Sequence, residues 1–169
     1  MNENFKNHAE EILESLGLFL GLDDLEFGEE DDTCILQLDD KTRVNVSLSS
    51  ENDTIILHSL MGTLPQSDRS EIVEQLLQAN LFWSGTNGAT ISMEQDTGLV
   101  IIARALAIYT SDGKLLTGEA LGEAIADLAN AANSWKPLLE NQNIEDPEAS
   151  SRADQEAEGH QPVDITTLD

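Results

Sequence analysis

The chain has 169 residues, enough for one domain with a proper core plus a tail, and 40% of them are hydrophobic. Thirty-three acidic side chains against eight basic ones give a formal net charge of -25, and the basic residues are scattered singly from Lys6 to Arg152. That pattern excludes nucleic acid and anionic membrane as partners, since both need clustered Lys and Arg, and a lone Cys34 excludes an internal disulfide or a four-cysteine metal site.

The opening MNENFKNHAEEILESL lacks the basic-then-apolar order of a secretory signal. The longest apolar run, 99–108, is interrupted by Arg104 and is about half the ~20 residues a membrane span needs, so the expected location is the cytoplasm. Phe5, Ala9, Ile12, Leu13 and Leu16 recur at helical spacing with Glu10, Glu11 and Glu14 opposite, which predicts a first helix with Gly17 as its stop. The following LGLFLGLDDLEF is unusually apolar for a connection. Leu18, Phe19, Leu20 and Leu22 cannot all turn inward from a short loop, and an exposed interaction patch is expected there. The acidic run from Glu29 to Asp32 lacks the order of a calcium loop and reads as a solvated turn. Strands are predicted over 33–39, 43–49 and 54–61. In the second, Val44, Val46 and Leu48 alternate with polar residues, the mark of an antiparallel meander with one wet face.

Pro65 breaks the chain, and Asp68 with Glu71 has capping-box spacing ahead of a second helix over 68–83. Its inner stripe is Ile72, Val73, Leu76, Leu77, Asn80 and Leu81. Leu81, Phe82 and Trp83 in succession cover more than one face, which leaves both core and subunit interface open for Phe82 and Trp83. Behind them, Ser84-Gly85-Thr86-Asn87-Gly88 looks superficially like a phosphate loop. Phosphate loops precede helices, where free N–H groups and the positive dipole end lie. This one follows a helix and lacks the Lys-Ser/Thr pair, so Gly85 is expected as a helix C-cap and Asn87-Gly88 as a turn. Strands over 90–94 and 99–107 follow. The latter is apolar on both faces, with Leu99, Ile101 and Ala103 on one and Val100, Ile102 and Leu106 on the other, as for a strand covered on both sides. A third helix, capped by Thr117, carries the stripe Leu121, Ile125, Leu128, Ala132, Trp135 and Leu139 and should end at Pro137. The fold class is therefore α+β: one domain over 1–140, ordered α-β-β-β-α-β-β-α, with a twisted, mostly antiparallel sheet covered by helices. A disordered acidic tail is expected over 141–169.

Little in the chain points to chemistry. His8, His58 and His160 have no ligand spacing, so no metal is expected. Cys34 and His58 would make a nucleophile pair, and a small enzyme, only if their strands were neighbours; plain packing is the competing reading. No Ser/His/Asp set, paired acid or cofactor fingerprint is present, which predicts a protein that is not an enzyme and takes no cofactor.

The order of elements together with LLQANLFWSGTNGATISMEQDTGLVIIARAL resembles the class I type III secretion chaperones, the Tir-chaperone family. Leu76, Leu77, Ala79, Asn80 and Leu81 match a helix-ending motif of that family, and Gly88, Ile91, Gly98 and Leu99–Ile102 match the elements after it. The resemblance covers about residues 1–140. It implies a homodimer built largely from the second helix and the next strand, with Leu77, Leu81, Phe82, Trp83, Ile91, Val100 and Ile102 at the interface. It also implies a surface for the non-globular amino-terminal segment of a secreted effector. That surface would comprise Leu13, Leu16, Leu18, Phe19, Leu20, Ile35, Leu36, Leu38, Val44 and Val46, where an effector strand extends the sheet. A cytoplasmic chaperone of a Gram-negative bacterium follows, with the secretion ATPase as a further candidate partner. The alternative within the family is a regulator that sequesters another secretion protein on the same surface.

Overall fold

The computed structural model describes residues 3–49, 51–66, 68–140 and 163–164. The chain forms helices α1 (Glu3–Leu20), α2 (Arg69–Asn80) and α3 (Gly118–Trp135), and strands β1 (Thr33–Asp39), β2 (Thr42–Ser49), β3 (Thr54–Thr63), β4 (Thr90–Met93), β5 (Leu99–Ala107) and β6 (Val163–Asp164). The sheet order is β4-β5-β3-β2-β1-β6. Every neighbouring pair is antiparallel except β1 and β6, which run parallel. The predicted α+β order is present through α3. Apart from the short strand β6, the tail expected to be disordered lies outside the described residues, as does His160.

Helix α1 buries its whole predicted stripe, Phe5, Ala9, Ile12, Leu13 and Leu16, at 2% exposure or less. It does not stop at Gly17. Gly21, with φ 67, ends it instead. The Leu22 N–H donates to the Gly17 carbonyl at 2.9 Å and the Gly21 N–H to the Leu18 carbonyl at 3.4 Å, a Schellman arrangement that requires a left-handed residue. Gly17 is small for packing: a Cβ there would lie 3.0 Å from the Leu22 carbonyl oxygen. Leu18, Phe19 and Leu20 therefore form the last helical turn rather than a loop.

One face of the sheet holds the core. Cys34, Leu36, Val44, Val46, Ile55, Leu57, Val100 and Ile102 are buried there, and α3 packs across β2, β3 and β5 with α1 against α3. The two helices approach closely because position 118 is glycine. A methyl on Gly118 would overlap the backbone of Ser15 and Leu16, and the Gly118 N–H donates to Ser15 Oγ at 3.1 Å. Thr117 caps α3 as expected, its Oγ1 accepting from the Ala120 N–H at 3.2 Å. Leu128 is 1% exposed at the centre of this layer, and Leu128→Ala should lower stability by about 3 kcal/mol in urea unfolding. At the end of α3 the buried Lys136 donates from Nζ to the Lys41 carbonyl at 2.7 Å, tying the helix to the β1–β2 turn; burial lowers the lysine's pKa.

The opposite face is open. Ile35, Ile56, Leu60, Leu99, Ile101 and Ala103 are only half-buried, so β5 is covered on one side and not on both. Helix α2 lies at the β4 end of the sheet, held by Asn80, whose Nδ2 donates to the Ile91 carbonyl at 3.0 Å and whose Oδ1 accepts the Ile91 N–H at 2.8 Å. Only Ile72, Leu76 and Ala79 of α2 are buried. Asp68 does not act as the expected cap: it takes a left-handed conformation, φ 56, and its side chain makes no capping bond. Among the described residues no helix is long and apolar enough to cross a membrane.

Candidate docking surfaces

The first surface grows from the end of α1. The inner stripe of α1 is used up in the core, and the last turn before Gly21 turns Leu18 and Phe19 outward, 79% and 53% exposed. Beside it lies an open cleft of about 680 Å³ between α1 and the return segment 22–27, lined by Leu18 and Leu22 together with Glu10, Glu14 and Asp23. Leucine side chains set among carboxylates suit an extended peptide with apolar anchors and basic flanks. Of the other residues expected here, Leu20 and Leu38 are partly buried against the core and Ile35 is half-buried on the open face of the sheet. Leu13, Leu16, Leu36, Val44 and Val46 are 1% exposed or less. These five belong to the core: Leu13 and Leu16 lie on the inner stripe of α1, and Leu36, Val44 and Val46 point inward because a strand with one covered face turns alternate residues to it.

The second surface lies on α2 and its exit. Leu77, Leu81, Phe82, Trp83 and Met93 are 65%, 61%, 86%, 56% and 43% exposed. Helix α2 ends at Asn80, and Phe82 and Trp83 then adopt left-handed backbones, φ 52 and φ 54. A large side chain in that region strains the chain by about 1–2 kcal/mol per residue, and such strain collects at functional sites. Here the Phe82 ring is left almost fully exposed, while Trp83 Nε1 donates to Thr90 Oγ1 at 3.4 Å. Ile91, Val100 and Ile102, expected in the same interface, are instead buried at 7%, 0% and 0%, on the helix-covered side of the sheet.

The loop behind this patch is structural. The Gly85 N–H donates to the Ala79 carbonyl at 3.2 Å, and its own carbonyl accepts from Trp135 Nε1 at 2.8 Å. A Cβ on Gly85 would lie 3.1 Å from Ala79 and 3.2 Å from the Trp135 ring. Gly85 is therefore a packing glycine, not a left-handed cap; Asn87 and Gly88, with φ 50 and φ 86, make the turn.

Cys34 and His58 do not meet. Cys34 pairs with Val46 on β2 and Val46 with Leu57 on β3, so His58, the next residue, points to the other face. There its Nε2 lies 2.9 Å from Asn45 Nδ2. Cys34 is 2% exposed, and burial pushes its thiol up to about 11. At pH 8 iodoacetamide should leave Cys34 unmodified in the folded protein and alkylate it in denaturant; rapid labelling under native conditions would contradict this burial. The acidic run is a turn: Asp31 Oδ1 accepts from the Thr33 N–H at 3.2 Å, and Asp32 pairs with Lys6 at 2.7 Å. Among the described residues no group of three His, Cys, Asp or Glu side chains converges as a metal site would require.

Helices on one face of an antiparallel sheet, with two separate patches of large apolar side chains turned to solvent, define a protein-binding domain. The chain belongs to the Tir chaperone protein (CesT) family, whose profile matches residues 11–136. Comparison with curated protein sequences returned no match. Among solved structures the fold is similar to a chain of the HopA1-SchA chaperone-effector complex, with 17% identity and a TM-score of 0.63 over 78% of this chain and 95% of that one. A chain of the ExsC-ExsE complex aligns at 21% identity and a TM-score of 0.62, over 82% and 98%. A chain of the heterodimeric ExoU-SpcU complex from the type III secretion system of Pseudomonas aeruginosa aligns at 20% and 0.59, over 78% and 99%. At these identities the likeness is one of fold.

Proposed function

We propose that the protein is a cytoplasmic chaperone of a type III secretion system. It binds the amino-terminal, non-globular segment of an effector as a homodimer and performs no catalysis. The observation that carries this reading is the pair Leu18 and Phe19, turned to water at the end of a helix whose inner stripe is buried. Membership of the Tir chaperone family supports it, as does similarity in fold to chains from chaperone-effector complexes. Burying these side chains under an extended client gains apolar area, while the sheet supplies backbone hydrogen bonds. The client is held by mass action, neither folded nor free to aggregate until it is drawn off. The strained, exposed residues after α2 fit the subunit interface.

Co-expression with effectors encoded nearby tests the reading. One of them should stay soluble and co-purify, and Leu18→Asp with Phe19→Asp should weaken its binding by about 10²- to 10⁴-fold, from ~1.5–3 kcal/mol for each buried side chain. Unchanged binding by the double variant would remove this surface from the client site.

A further inference from the structure

The geometry points to a resident ligand on the sheet edge: Val163–Asp164 of the acidic tail occupies the outer edge of β1 and competes there with the client strand. This rests on the proposed client-binding function and adds a regulator to it. The pairing is specific in register, Leu36 with Val163 and Gln37 with Asp164, in parallel. The far edge of β1 is filled along its length by β2. Without β6, β1 would be the last strand of the sheet on that side, its outward N–H and C=O groups unpaired. An open edge of this kind is a template for any extended chain. A segment seated at Leu36 and Gln37, in the middle of β1, blocks a longer strand from pairing anywhere along it.

The sequence fits the role. After the long acidic stretch, PVDITTL at 162–168 brings together Val163, Ile165, Thr166, Thr167 and Leu168, residue types that favour strands. Two paired residues alone hold weakly, but a tethered segment acts at an effective concentration on the order of millimolar. The edge is then covered in the absence of client and yields to a longer strand that adds side-chain contacts at Leu18 and Phe19. The tail lowers the apparent affinity for every client by the fraction of time the edge is closed, so weak sequences are rejected and a matching one is retained.

The test compares the full-length protein with a full-length Val163→Pro/Asp164→Pro variant, which cannot donate to β1, and with an Ala149→Pro/Ser150→Pro control. Hydrogen exchange at the β1 amides 35–38 reads edge occupancy. Titration with the amino-terminal fragment of the effector that co-purifies reads competition. The expected result is faster exchange in β1 and roughly 10-fold tighter fragment binding for the Val163/Asp164 variant alone. Unchanged exchange overturns the pairing, and faster exchange with equal affinity overturns the competition while leaving the chaperone function intact. A fragment that binds none of the three proteins overturns the client reading and the competition with it, and the exchange data then still decide whether the tail covers the edge.

Discussion

Gly118→Val is expected to destabilise the fold by roughly 4 kcal/mol, beyond the ~1–3 kcal/mol usual for an overfilled core. At most core positions an added methyl meets a side chain that can turn away. At Gly118 it meets the backbone of Ser15 and Leu16 in the C-terminal part of α1, so relief requires the two helices to part. Parting them opens the layer holding Leu16, Leu121 and Leu128, all 1% exposed or less, and removes the Gly118 N–H from Ser15 Oγ. Gly122→Ala is the internal control. Its methyl would lie 3.2 Å from the Phe19 ring, an exposed side chain free to shift, and the loss should stay below about 1 kcal/mol. Urea unfolding of both variants is the measurement. Equal midpoints for Gly118→Val and wild type would mean that the helices cross elsewhere.

Phe82→Asp should convert the proposed homodimer to monomers at micromolar concentration. If Phe82 is buried across a two-fold axis, each subunit contributes one ring, and losing both removes about 3–6 kcal/mol, or 10²- to 10⁴-fold in the dissociation constant. Phe82→Gly separates assembly from strain. Glycine adopts φ 52 freely, so the isolated subunit should gain about 1 kcal/mol while the dimer still weakens. Sedimentation velocity reads the mass and urea unfolding the subunit stability. A Phe82→Asp protein with the wild-type mass would place the interface away from the α2 exit.

The fold was legible where one period governed a segment that the subunit covers; in α2 the same period put Leu77 and Leu81 on the inner stripe, and both are exposed. The stripes of α1 and α3 and the alternation in β2 depend on local spacing, and all proved to face the core. Misplaced features depended on contacts between distant segments. Gly17 looked like a helix stop because nothing local reveals the neighbouring return segment; Gly21, four residues on, has no such neighbour and is free to be left-handed. The apolar run of β5 suggested cover on both faces, yet the subunit covers one, leaving Leu99, Ile101 and Ala103 half-exposed. For the docking surfaces, apolar excess identified Leu18 and Phe19 correctly as exposed, whereas Val44 and Val46 were drawn to the core by the same alternation that defines their strand. Met93 gave no signal, since a single Met ending a short strand looks the same on either face. Gly118 was equally silent: a glycine one residue past a helix cap is unremarkable until the partner helix is seen.

The bond from Lys136 to the Lys41 carbonyl fixes where the acidic extension begins. It leaves α3 beside the turn where β1 finishes, yet β6 travels in the same direction as β1 and so must enter from the other end. Pairing begins at Leu36, only about 10 Å along β1 from Asp39, whereas the sequence 141–162 could reach on the order of 70 Å if fully extended. Shortening the extension by a few residues should therefore leave the contact intact.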